Sequence, residues 1–278
     1  MPCGIKKQGR KKMKDIKDIR VACVGCGVMG GALVRAMAKV VGADRITVSA
    51  ASYGEASSFA EKTGVRAAKT NADAVSGADF VFLAVKPAYI RDVISEIRPF
   101  VRKDAVYVSM AAGVTLKTIG ELRAVRIMPN IPATVGEGMV ALCSTEGVSS
   151  DDLSLVKTLL SESGRVDEIP ERLMDGVTAV SGSGPAYAFL FIEALADAAV
   201  RFGMPRKQAY VYAAQTLKGA AELFLNDGRS VSELKDAVCS PAGTTIEGVI
   251  ALEESGFRAA VINAATAAFE KSVELGQK

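Results

Sequence analysis

A glycine-rich loop set between a strand pattern and a helix pattern constrains this chain more than any other feature. Arg20–Val24 reads as an apolar β-strand, Gly25-Cys26-Gly27-Val28-Met29-Gly30 follows at once, and Gly30–Val41 has helical periodicity. G-x-G-x-x-G is a weak signal alone and a specific one between a strand and a helix. Gly25 permits a tight turn, Gly27 lets the backbone approach a pyrophosphate, and Gly30 lets helix and strand pack closely. The helix start adds unsatisfied N–H groups and the positive end of the helix dipole, so the loop predicts a bound dinucleotide.

The pattern around the loop agrees. Strands are expected at Ile46–Ser49, Phe80–Val85, Ala105–Met110, Val125–Met128 and Val166–Ile169. Helices are expected at about Gly54–Lys62, Asn71–Val75, Tyr89–Arg98, Leu116–Leu122 and Asp151–Ser163, the last with Ser150 as its N-cap. The run FVFLAV is apolar throughout, as in a strand covered on both faces. This alternation predicts an α/β Rossmann domain with a doubly wound, mostly parallel sheet over residues 20–169. From Pro170 the strand signals stop, and Ala-rich helical segments at Tyr187–Phe202, Arg206–Leu225 and Arg258–Leu275 predict an all-α domain over 170–278. The helix after Pro185 is apolar nearly all round, broken by Glu193 and Asp197. Such a helix is expected to be buried on all sides, at a subunit interface.

Composition removes several kinds of chemistry. The 278 residues include no histidine, which excludes His-based triads, His general bases and His-ligated metals, and no metal site is expected. Five scattered cysteines suit a reducing compartment, here the cytoplasm. Cys23 and Cys26 form a C-x-x-C, but one lies in a strand and the other in the glycine loop, not at the exposed helix start that a redox pair needs. The net charge of +3 is concentrated in residues 1–19, which carry seven Lys/Arg and two Asp and read as a solvated, disordered tail. No motif there supports nucleic-acid binding, no secretory signal follows it, and no apolar run approaches the roughly 20 residues of a membrane span.

The second strand of a dinucleotide-binding fold commonly ends in an acid that binds the ribose of NAD. Ser49-Ala50-Ala51-Ser52 stands there instead, with no acid before Glu55. NADPH is therefore the expected cofactor, with NADH the alternative, and Ser52 joins the cofactor-binding set. A protonated imine carries its own charge and needs less acid catalysis than a ketone, so a histidine-free chain fits C=N reduction somewhat better than C=O reduction. In the helical half, Ser240-Pro241-Ala242-Gly243-Thr244-Thr245 opens a helical run, Ile246–Glu254. Exposed N–H groups and two hydroxyls there form a natural cradle for a carboxylate, although an ordinary capped helix start gives the same pattern. Ser181-Gly182-Ser183-Gly184-Pro185 is read most simply as a close backbone crossing before a helix.

Together these segments resemble pyrroline-5-carboxylate reductase from about Arg20 to Leu275. The resemblance rests on GCGVMG, AVKP (Ala84–Pro87), MAAG (Met110–Gly113), RIMPNIP (Arg126–Pro132), SGSGPAY (Ser181–Tyr187) and SPAGTTIEG (Ser240–Gly248). Ala242 stands where the family's SPGGTT has its first Gly. The resemblance implies reduction of the cyclic imine to proline by hydride transfer to the protonated C=N. It also implies a homodimer, in larger rings of dimers in some relatives. It places Cys26, Val28, Met29, Asn71, Ala84, Val85, Lys86, Pro87 and Ala112 along the cofactor, and Glu171, Gly243, Thr244 and Thr245 around the substrate. Thr245 would hydrogen-bond the imine or ring nitrogen. Another imino- or keto-acid reductase, or a non-catalytic NAD(P) sensor, are the alternatives on this scaffold.

Overall fold

The computed structural model describes residues 15–276. In the first unit the chain runs through β1 (Val21–Val24), α1 (Val28–Val41), β2 (Ile46–Ser49), α2 (Tyr53–Thr63), β3 (Arg66–Ala67) and α3 (Asn71–Val75). It continues through β4 (Phe80–Leu83), α4 (Ile90–Ile97), β5 (Val106–Ser109), α5 (Leu116–Ile119) and β6 (Ala124–Met128). β7 (Gly138–Ser144), α6 (Ser150–Leu160), β8 (Gly164–Glu168) and α7 (Met174–Val177) complete it. The strands form one sheet in the order β3-β2-β1-β4-β5-β6-β7-β8, with β6 and β7 antiparallel and every other neighbouring pair parallel.

Alternation along the strands divides the core into two layers. Val21 and Cys23 of β1 join Phe80, Phe82, Val106 and Val108 under Leu33, Val34 and Met37 of α1. Ala22, Val24, Val81 and Leu83 face the other way, against Val75 of α3 and Ile90, Val93 and Ile97 of α4. Helices on both faces explain why these strands are apolar throughout instead of alternating with polar residues.

Several elements differ from expectation. β7 and the two-residue β3 were not anticipated. α6 is capped by Ser149, whose hydroxyl accepts the Asp152 N–H, and not by Ser150. Residues 1–14 of the basic tail lie outside the described residues, but Ile16–Asp18 form a 3-10 turn and Ile19 is buried. Ile16 and Ile19, which precede Arg20, have apolar partners on the α1 side of the core.

The second unit spans residues 179–271, while the segment from Ser272 returns to the first unit. The division falls after Thr178 and not at 169–170, because Met174 and Val177 of α7 pack in the first unit's core. A π-helical turn, Thr178–Gly182, leads into α8 (Gly184–Arg201), followed by α9 (Arg206–Asp227), α10 (Val231–Val238), α11 (Thr244–Glu254) and α12 (Phe257–Gly276). α10 was also not anticipated, although Ser230 and Glu233 close a full capping box at its start. Within one chain α8 is not buried on all sides: Phe189 and Leu190 are 62% and 67% exposed. The helical run Glu171–Arg201 is long and apolar enough, by length and composition, to cross a membrane, against the expectation that no run reaches that length.

Candidate active site

The sheet order reverses beside β1, whose neighbours are β2 and β4, and a crevice at such a reversal is where doubly wound folds hold ligands. The glycine loop sits there. Gly25 has φ +97° and donates its N–H to the Ser49 carbonyl at 2.9 Å. A Cβ on Gly25 would stand 2.5 Å from the Ala84 carbonyl oxygen, and one on Gly30 only 2.2 Å from that of Gly25. A Cβ on Gly27 would meet nothing within 4 Å. Gly25 and Gly30 are thus required by the protein's own packing, while Gly27 borders open space. Gly27 is also the N-cap of α1 and supplies no side chain to the first turn, which holds no acid. The free N–H groups there can take a phosphate, so the residues fit a dinucleotide.

The other residues placed against the cofactor lie along the same carboxyl edge. Ala84 and Val85 follow β4 and are half-buried, Lys86 and Pro87 beyond them are exposed, and half-buried Ala112 follows β5. The Ser49 hydroxyl donates to Asn71 Oδ1 at 2.8 Å, and Asn71 Nδ2 donates to Glu96 at 3.0 Å. This chain of bonds fixes Asn71 at the end of β2. Ser52 caps α2, accepting the Glu55 N–H at 3.3 Å. Val28 is exposed, and Met29 and Cys26 are half-buried. Burial, followed by the Glu55 carboxylate, pushes the Cys26 thiol up, although its own backbone N–H pulls the other way. Cys23 is wholly buried and pushed up to about 12, by burial first and by Cys26 second, so the C-x-x-C has no ready thiolate.

In the second unit, Ser240–Gly243 make a tight turn in which Gly243 N–H donates to the Ser240 carbonyl at 3.0 Å. Ala242 adopts φ +56°, alone among the described non-glycine residues. A Cβ on Gly243 would fall 2.2 Å from Ser240 Oγ. Gly243 caps α11 with no side-chain bond, leaving the first N–H groups unclaimed beside exposed Thr244 and half-buried Thr245. An ordinary helix start with a glycine N-cap and a carboxylate cradle therefore both fit this geometry. At Gly184 an added Cβ would meet nothing within 4 Å, so nothing within the chain supports a close backbone crossing at that residue.

Among relatives, the pyrroline-5-carboxylate reductase of Escherichia coli (strain K12) is 42% identical over 265 residues, covering 93% of this chain and 98% of the relative. This chain belongs to the pyrroline-5-carboxylate reductase family. It is an NAD(P)-dependent oxidoreductase that reduces pyrroline-5-carboxylate to proline. Residues 171–275 match the family described as pyrroline-5-carboxylate reductase dimerisation, so the reductase associates with itself through its helical part. Residues 20–113 match one described as NADP oxidoreductase, coenzyme F420-dependent. The pyrroline-5-carboxylate reductase of Coxiella burnetii has the same fold, with a TM-score of 0.87 and 34% identity over 94% of this chain and 99% of that one. The Plasmodium falciparum enzyme, solved with NADP bound, gives a TM-score of 0.85 and 32% identity over 94% and 100%.

One group in this reductase escaped the sequence reading. Arg126 of β6, within RIMPNIP, is 2% exposed and the bulkiest of the wholly buried side chains. Its Nη1 donates to Glu171 Oε1 at 3.1 Å, and Leu116 N–H donates to the same oxygen at 2.7 Å. Nε and Nη2 of Arg126 have no partner among the described residues. Cys143, opposite Arg126 on β7, feels both charges: its thiol is pushed up to about 11 by burial first, then Glu171, against Arg126. Glu171 is thus tied into the first unit, joining β6 to the start of α5. A charged residue inside an otherwise apolar strand run was the available signal for Arg126.

Proposed function

We propose that this reductase binds NADPH in preference to NADH along the carboxyl edge of its sheet and holds the substrate carboxylate at the start of α11. The α1 N–H groups behind Gly27 receive the pyrophosphate, and Asn71, Ala84, Val85, Lys86, Pro87 and Ala112 line the remainder. Ser52 lies on the ribose side, where the stretch Ser49–Ser52 offers no acid to repel a 2′-phosphate. The NADP bound to the Plasmodium falciparum relative supports this preference. When bound, the cofactor supplies the hydride that adds to C5 of the protonated imine.

The chain's own contribution is positioning and charge. The single observation that carries the substrate assignment is the start of α11, where the cap Gly243 has no side chain and leaves N–H groups free for a carboxylate. Thr244 flanks that cradle, and the Thr245 hydroxyl is the hydrogen-bonding group for the imine nitrogen. Glu171 is the further substrate-side carboxylate, its position fixed by Arg126 and Leu116. A cationic substrate brings its own proton, so the absence of histidine costs nothing. The enzyme works as a homodimer, assembled further into a ring of dimers, in the cytoplasm, with its apolar helical face against its own copy and not against lipid.

The test is oxidation of NADPH and of NADH by the purified protein with pyrroline-5-carboxylate, beside piperideine-6-carboxylate, a 3-hydroxy acid and a 2-keto acid. Turnover of the five-membered imine at the highest kcat/KM, with NADPH ahead of NADH, is the expected result. Preferential turnover of the six-membered ring would move the substrate assignment, and tight cofactor binding without turnover would mark a sensor.

A further inference from the structure

The sheet carries a second concavity, at the edge opposite the cofactor loop. A cavity of about 420 Å3 runs from the amino-terminal ends of β1 and β2 along the short strand β3 to Lys69 just beyond it. Four cations line it: Arg20 precedes β1, Arg45 precedes β2, Arg66 opens β3 and Lys69 follows β3. Their spacing is set by the sheet. Val21 pairs with Ile46, so Arg20 and Arg45 enter adjacent strands side by side, and Arg66 pairs with Thr47 on the next strand. Neighbouring strands lie about 4.8 Å apart, so Arg20 and Arg45 stand side by side at the edge, with Arg66 level with Thr47, two residues further in.

The lining itself holds four cations and one acid. Asp73 is the acid in the lining, and Asp44 lies 3.7 Å from Arg45 but is largely solvated. Asp79 accepts the Arg20 backbone N–H at 3.0 Å and pairs with Arg102 at 3.1 Å. A lining with this excess of positive charge attracts an anion. Thr47, Ser76 and the small residues Ala67, Ala68, Ala74 and Ala78 share the lining.

We propose that this cavity is a binding site for a small molecule carrying two or more phosphate groups. Planar guanidinium forks match phosphate oxygens two at a time, which favours phosphates over single carboxylates. The volume lies within the range of small-ligand sites. The Arg20–Arg45 end of the cavity is separate from the glycine loop, which leaves the other end of β1, about 13 Å along the strand.

Calorimetric titration of inorganic tripolyphosphate into the full-length enzyme saturated with NADPH, at fixed ionic strength, tests this. Saturation takes the cofactor's own phosphate contacts out of the measurement. We expect one saturable site per chain, weakened about tenfold or more by Arg66→Gln/Lys69→Gln and in the same direction by Arg45→Gln, with kcat/KM for pyrroline-5-carboxylate within twofold of wild type. Lys6→Gln/Lys7→Gln, in the basic amino-terminal segment, should leave the affinity unchanged. Absence of saturable binding, equal affinity in the cavity variants, or loss of affinity in the Lys6/Lys7 variant instead would overturn the proposal.

Discussion

Gly27 and Gly30 are three residues apart in one motif, yet the structure assigns them different burdens. A methyl group on Gly30 collides with backbone, whereas one on Gly27 projects into open space. Gly30→Ala should lower unfolding free energy by about 1–3 kcal/mol, as overpacking does. Gly27→Ala should keep wild-type stability and lose affinity for NADPH; chemical denaturation and fluorescence titration of the same two proteins separate the effects. Thr245→Ala should lower kcat/KM for pyrroline-5-carboxylate by about one to three orders of magnitude while the protein folds normally. Unchanged kinetics would remove Thr245 from the mechanism. Glu171→Gln leaves an acceptor for Leu116 but strips the charge facing a dry guanidinium, at a cost of about 2–3 kcal/mol. Arg126→Met removes that buried charge with its two unpartnered nitrogens and should cost less. Urea unfolding that ranked the two variants the other way would mean Arg126 has partners beyond Glu171.

At the scale of the element, what was legible in the sequence follows how much apolar surface each segment commits. β1, β4 and β5 are buried on both faces and read directly as uninterrupted apolar runs. β3 has two residues, one of them Arg66, and no periodicity can expose so short a strand. The glycine cradle was legible because φ and contact demands act on residue type. The Arg126–Glu171 pair was not, since its partners are 45 residues apart and meet only in the fold. The strand that carries Cys23 makes a further prediction. The native thiol ionises near 12, above its ordinary value of 9, so stability is intact below pH 9 and declines above it, as the unfolded chain loses a proton that the native chain keeps. The advantage of wild type over Cys23→Ala should therefore shrink by about 1.4 kcal/mol per pH unit above pH 9, as read from urea midpoints.

At the scale of the molecule, the helical unit has a core too small to stand on its own. Among the described residues it buries Ala196, Ala209 and Ala213, while Phe202, Val211 and Ile262 are 83%, 61% and 62% exposed. Such a surface needs a second copy to cover it. Leu190→Asp would be nearly neutral on a monomer's surface, but should here dissociate or unfold the enzyme, as followed by light scattering. Wild type should in turn melt at temperatures that rise with protein concentration.

The path of the chain between its units bears on the gene. The chain leaves the first unit through a helical run and re-enters it inside α12. There the Ser272 hydroxyl donates to Asp175 at 2.7 Å, and Leu275 and Gly276 lie against Gly113. A gene fragment ending at codon 178 would encode a cofactor-binding half without its last helical turn, exposing Gly113 of the MAAG segment. Anyone wishing to express that half alone should add codons 272–276 back through a short artificial linker.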